Sequence, residues 1–176
     1  MKQLKLKNYF LTGNDLTKAI LNTKDEKEKE QLELAHIEPL QLWLVKQRLH
    51  GSASRARTRF IKLIAERADE IDKERMRLAE DNCKLKKGEL VYLDKEGKET
   101  MDKNKGTSYA MDEKQKNKFD VDFNSYLKEE LELDITPERN DTIYGVRDLI
   151  MDTTEEFEGM MAMRYAEICD CFDAIK

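Results

Sequence analysis

Residues 52–86 read SASRARTRFIKLIAERADEIDKERMRLAEDNCKLK, and their periodicity decides the fold. Ile64, Ile71, Leu78 and Leu85 recur every seven residues, with Ile61 and Ala68 on the flanking position of the same stripe. An apolar stripe with that period, kept up for about three heptads, belongs to a helix and not to a strand. Ser52 or Ser54 offers an oxygen to cap the first free N–H groups, and Gly88 can take the left-handed conformation that ends a helix. One long central helix over 52–86 is therefore expected. Its flanking position turns polar at Arg75 and Asn82, so the second half presents a narrower apolar seam than the first.

The chain on either side supplies shorter elements. In QLKLKNYFL (3–11), Leu4 and Leu6 alternate with Lys5 and Lys7, which predicts a strand or an extended arm over 1–11 docked by two leucines. Lysines along such a segment discourage indiscriminate edge pairing. Thr12 or Asn14 is placed to cap a short helix through Leu16, Ile20 and Leu21. The run KDEKEKEQLE (24–33) interleaves opposite charges and reads as a solvated helix or helix end. After Pro39, Leu40, Trp43, Leu44 and Leu49 predict a helix packed on the long one. Trp43 is the only tryptophan, with buried core as the default reading and a partner hot spot as the other.

Beyond the long helix, ELVYLDKEGKETM (89–101) reads as a β-hairpin turning at Asp94–Gly97. Residues 102–117 are polar and predict a mobile loop, with Asp112 as a cap for a helix carrying Phe119, Phe123, Tyr126 and Leu127. Leu131, Leu133 and Ile135 alternate up to Thr136-Pro137, the pattern of a third strand. Over 142–176, the spacing of Ile143, Val146, Leu149 and Ile150, and then of Phe157, Met161, Tyr165, Ile168, Phe172 and Ile175, predicts amphipathic helices. The expected fold is thus α+β and mostly α. About five helices surround one long central helix, with a small antiparallel sheet from the N-terminal segment and the hairpin, in a single domain over 1–176.

Charge and composition bound the function. Charged residues make up 39% of the chain and hydrophobic residues only 39%, against an average domain's charged fraction of ~25%. Outer helix faces that are almost wholly ionic produce such a ratio, as does a thin core completed by a partner. The net charge of −5 weighs against general nucleic-acid binding. Its distribution is uneven. From Lys46 to Lys62 there are six bases and no acid, and from Asp141 to Lys176 nine acids against three bases.

Catalytic and metal chemistry find little to hold on to. His36 and His50 sit in no triad or metal spacing, and no phosphate-binding glycine motif occurs. Cys83, Cys169 and Cys171 contain no CxxC, and on a helix the last two point roughly 200° apart. The expectation is a non-enzymatic protein without cofactor or metal. No run of ~18 apolar residues predicts a membrane span, and no apolar leader marks the start of the chain.

The distinctive stretch is SRARTRFIK (54–62). On a helix Arg55, Arg59 and Lys62 share one face at i, i+4 and i+7, while Arg57 lies around the cylinder. Bases at a helix N-terminus oppose the macrodipole, so something must offset them. Three candidates are open: the chain's own acidic C-terminal helices, a protein partner, or nucleic-acid phosphate. Met160, Met161 and Met163 add adaptable apolar surface, with core filling as the default and a recognition surface as the other reading. The candidate partner-binding residues are Arg55, Arg57, Arg59, Lys62, Trp43, Met160 and Met163.

Four of these stretches together, LKLKNYFL (4–11), SRARTRFIKLI (54–64), the turn around LDKEGK (93–98) and YAEICDCFD (165–173), resemble one family. It comprises small proteins without an assigned activity, encoded by tailed bacteriophages and prophages of Gram-positive bacteria. The resemblance covers most of the chain, although residues 24–45 are longer here than the family's usual first connection. Members are encoded among late genes near tail, baseplate and lysis functions. The resemblance therefore implies a structural or assembly-accessory role through protein–protein contacts, with a second copy or another phage protein as partner. It places the chain in the host cytoplasm during synthesis and then with the virion. The rival readings are a regulator or inhibitor that binds a host protein, and a nucleic-acid binder using Arg55, Arg57, Arg59 and Lys62.

Overall fold

A computed structural model describes residues 2–13 and 38–175. The expected short helix through Leu16 to Leu21, the charge run 24–33 and His36 lie outside these residues. The architecture is α+β and mostly α, with a long central helix and small antiparallel sheets. In chain order the described elements are β1 (Gln3–Lys7), a 3-10 turn (Asn8–Phe10), α1 (Leu40–Lys46) and α2 (Gly51–Asp81). Then come β2 (Leu85–Lys86), β3 (Glu89–Leu90), β4 (Tyr92–Leu93), β5 (Glu99–Thr100) and β6 (Ser108–Tyr109). The chain continues with α3 (Glu113–Leu127), β7 (Glu130–Asp134), α4 (Pro137–Met151) and α5 (Gly159–Asp173). The residues fall into two compact units, Met1–Ala68 with Glu129–Lys176, and Asp69–Lys128, and α2 belongs in part to each.

In the first unit β1 pairs antiparallel with β7, not with the hairpin as expected. The register explains the choice. Leu4 sits opposite Leu133 and Leu6 opposite Leu131, so one face of the pair is apolar and Leu4 and Leu6 are fully buried. The other face carries Lys5, whose ammonium lies 2.6 Å from Glu132 and 3.8 Å from Glu130. Hydrogen bonding to Glu132 raises the Lys5 pKa. The core continues through Phe10, Leu44, Phe60, Ile64, Ile143, Val146, Ile150 and Phe172, all essentially buried, with the Phe60 and Phe172 ring centroids 6.0 Å apart. α4 begins at Pro137, earlier than the apolar spacing suggested, because proline is pre-organised for the first helical position. A polar lock joins α2 to the β1–β7 pair. Arg67 Nε donates to the buried Asn8 Oδ1 at 2.9 Å and its Nη2 lies 3.5 Å from Glu129, whose carbonyl accepts from the Asn8 N–H.

The second unit revises three expectations. First, α2 ends at Asp81, short of Lys86. The Asn82 side chain donates to the Leu78 carbonyl at 2.8 Å, and Leu85, fourth in the seven-residue series, is 65% exposed in β2. Beyond the helix the chain reverses at the two-residue hairpin turn Lys87-Gly88, with φ of 55° and 84°. Positive φ at both central residues is the type I′ geometry that matches strand twist, and it suits asparagine or glycine better than lysine. Lys87→Asn should therefore stabilise the hairpin by about 1 kcal/mol, read as slower amide exchange at the β2–β3 pair; unchanged exchange would contradict this.

Second, the hairpin expected over 89–101 is shared between two sheets. β2 pairs with β3, and β4 stands between β5 and β6. The turn after β4 is as expected. Gly97 has φ of 77°, and the Asp94 carboxylate accepts from the Glu96 and Lys98 N–H groups at 2.8 and 2.9 Å, which lowers its pKa. Third, residues 102–117 are not all loop. β6 adds to β4, and Asp112 and Gln115 form a reciprocal capping box that starts α3. Polar composition concealed the packing reason for Gly106, where a Cβ would stand 2.5 Å from that of Tyr92. On α3 the stripe Phe119, Phe123, Tyr126 and Leu127 is only half-buried, with the two phenylalanine rings stacked at 5.7 Å.

Candidate functional site

The first half of α2 carries the most distinctive surface. Its apolar side, Ala56, Phe60 and Ile64, is buried. That fixes the rotation of the helix and turns Arg55, Arg59 and Lys62 outward, where all three are exposed. Among the described residues none of the three makes an ion pair, so the acidic C-terminal helices of the same chain do not neutralise them. Arg57 is separated from this set. It is half-buried, and its Nη1 donates to the Gln47 carbonyl at 2.6 Å while Nη2 reaches Ser54 Oγ at 3.4 Å. Arg57 thus ties the α1–α2 corner and positions the stripe without belonging to it.

Trp43 does not join the arginines either. It is 5% exposed, and its Nε1 donates to Glu155 at 2.6 Å. Its ring lies 6.1 Å from that of Phe157, which stacks on Tyr165 at 4.6 Å. Trp43, Phe157 and Tyr165, with Leu40, Ile150 and Met161, line a small apolar cavity. Of the methionines, Met161 faces that cavity, whereas Met160 and Met163 are 45% and 61% exposed. Arg164 closes the cavity edge. Its guanidinium donates to the Tyr9 and Thr12 carbonyls and lies 5.0 Å from the Tyr9 ring centroid, and burial lowers its pKa.

A wide groove that none of Arg55, Arg59 and Lys62 lines had no counterpart in the sequence. It is an open depression of about 750 Å³ between the α1–α2 corner and α4. Ala56 and Gly145 form its floor, Arg48 and Ser52 stand on one wall, and Asp141, Asp148 and Asp152 stand on the other. The chain matches no family model, no curated protein and no solved structure.

The ionisable groups with resolved shifts mostly move away from neutrality. Burial pushes Tyr9, Tyr109 and Tyr165 up to about 12, and hydrogen bonding to Arg77 lowers Glu74. Burial also raises Cys169, and it pushes Cys171 from 9.0 up to about 11, with Glu130, Asp170 and Glu167 adding to the effect. Groups poised for acid–base or nucleophilic work move the other way. At pH 8 the thiolate fraction of Cys171 is about a hundredfold below that of an ordinary thiol. Iodoacetamide should accordingly modify Cys171 tens of times more slowly in the native protein than in urea, as peptide mapping would read; equal rates would contradict the burial. Among the described residues no three His, Cys, Asp or Glu side chains converge as a metal site, and no helix is long and apolar enough to cross a membrane.

Proposed function

We propose that the protein is a non-enzymatic structural or assembly accessory of a tailed bacteriophage and that it works by contact with other proteins. The observation that carries the contact reading is the exposed stripe of Arg55, Arg59 and Lys62, fixed on a helix whose other side is core and left without a counter-charge among the described residues. Solvent-facing apolar side chains support it: Leu42 and Val45 on α1, and Met160 and Met163 on α5. The phage assignment rests on the resemblance of residues 4–11, 54–64, 93–98 and 165–173 to the late-gene family.

Mass spectrometry of purified particles beside the total lysate tests this proposal. A fixed copy number per particle is expected, or retention in an isolated assembly intermediate. A protein abundant in lysate, missing from particles and intermediates, and recovered with a host protein would overturn it in favour of a host-directed regulator.

A further inference from the structure

We infer that the outer edge of β7 is a docking site for an extended segment of a partner protein. That segment alternates basic and aliphatic residues and adds to the sheet as a third strand. The inference rests on the contact-based reading above and gives it a second surface, built from other residues than the stripe on α2. The β1–β7 sheet has only two strands, so each strand has an open side. The hydrogen-bond phase shows which groups stand there. The Ile135 N–H donates to the Lys2 carbonyl at 3.0 Å, and the Asn8 N–H donates to the Glu129 carbonyl at 2.9 Å. Bonded pairs alternate along an antiparallel ladder, so Leu4–Leu133 and Leu6–Leu131 are bonded pairs as well. Glu130, Glu132 and Asp134 therefore direct their N–H and C=O groups away from β1. Those outward backbone groups have no hydrogen-bond partner among the described residues. Strand addition at such an edge draws affinity from main-chain bonds and specificity from alternate side chains.

The side chains define what the segment must carry. Glu130, Glu132 and Asp134 form a row of carboxylates on the face of β7 opposite its leucines. Among the described residues Lys5 is the one cation within ion-pair distance of that row, and Gln3 meets Asp134 with a neutral amide at 2.8 Å. An added strand sets its alternate residues beside the same carboxylates, where lysine or arginine is favoured and acid opposed. On the other face Leu133 is buried but Leu131 is only half-buried, so an aliphatic neighbour would cover the rest of it. β1 is the template for such a segment, since QLKLK already pairs with the inner edge of β7 through Leu4, Leu6 and Lys5. Lysines guard the open edge of β1, whereas β7 (ELELD) has neither lysine nor proline to refuse a strand. A second copy is the poorer occupant. A two-fold β7–β7 pairing sets carboxylate against carboxylate. Joining β7 to β1 of the next chain leaves each folded unit about 10 Å, the width of two strands and no more than one helix.

A synthetic peptide that copies residues 2–8, KQLKLKN, is the probe, added at millimolar concentration to the full chain while amide exchange is read by NMR. Exchange at Glu130, Glu132 and Asp134 should slow at least about tenfold with the peptide. Raising the salt from about 50 to about 500 mM should remove most of that protection. The charge-reversed peptide EQLELEN should give none. Glu132→Pro should abolish the protection and keep the fold, as checked by circular dichroism, because it removes an outward N–H from an edge strand. The inference is overturned if the three amides exchange unchanged, or if the acidic peptide protects them equally. It is also overturned if the peptide displaces β1, read as faster exchange at Leu4 and Leu6. Self-association of the chain alone that Glu132→Pro abolishes would overturn it in favour of a second copy. Should Glu132→Pro fail to fold, the contrast between the two peptides on the unaltered chain decides. A chain that ignores the peptide yet copurifies with particles would remove the docking edge alone. A chain that binds the peptide but is absent from particles would remove the virion role alone.

Discussion

Phe60→Ala is expected to destabilise the first unit by about 3–5 kcal/mol. Phe60 is fully buried on α2, its ring 6.0 Å from that of the equally buried Phe172 on α5. Truncation removes a whole ring from a close-packed site, and Phe172 beside it and Ile64 one turn on are themselves buried, with little freedom to collapse into the space. A loss of that size is a large part of the 5–15 kcal/mol that separates a native domain from its unfolded chain. Trp43 makes the measurement clean. It is the only tryptophan and lies buried in the same unit, so its fluorescence during urea titration reports this core and no other. The midpoint should fall well below that of the wild type with the slope retained. A shift under about 1 kcal/mol would mean that Phe60 is not the centre of this core. Arg59→Ala, one residue away but exposed, should move the midpoint by no more than about 0.5 kcal/mol. That contrast separates the packing side of α2 from its contact side.

How far the sequence carried the reading depends on the range over which each signal acts. The helical period from Ile64 to Leu78 is local and repeated, so α2 was legible, and so was the shared face of Arg55, Arg59 and Lys62; whether that face pairs with the chain's own acidic helices was left open by the sequence. The same arithmetic failed at Leu85, because a seven-residue count does not register that Lys87-Gly88 can close a type I′ turn and draw Leu85 into a strand. The alternations at Leu4–Leu6 and Leu131–Leu133 were both visible. Their partnership was not, since it joins residues more than a hundred apart and depends on register that neither segment encodes alone. Arg57 illustrates the limit within the candidate site. By type and position it looked like the other arginines, yet its partner is a backbone carbonyl ten residues back at Gln47. The groove was hidden for a similar reason: helix–helix proximity, and not any motif, sets Arg48 and Ser52 opposite Asp141 and Asp148.

Gly145 shows how such proximity can be measured. In isolation, replacing a mid-helix glycine with alanine should help by about 1 kcal/mol, because glycine loses the most backbone freedom on folding. Here the added Cβ would stand 2.8 Å from the Cβ of Ala56, a rigid atom on a buried stretch of α2, so one helix must move. Overpacking of that kind costs about 1–3 kcal/mol. Gly145→Ala is therefore expected to be destabilising overall, and Gly145→Leu more so, reversing the sign that helix propensity alone predicts. The swap provides the control. Ala56→Gly by itself costs about 1 kcal/mol of helix stability, yet combined with Gly145→Ala it reopens the space. The double variant should then be more stable than the sum of the two single effects allows, with a coupling of about 1 kcal/mol or more. Additive effects in urea titrations followed at Trp43 would mean that α2 and α4 do not touch at this point. Coupling would place the contact under the groove floor, where a shift of α4 also displaces Asp148 and Asp152 relative to Arg48 and Ser52.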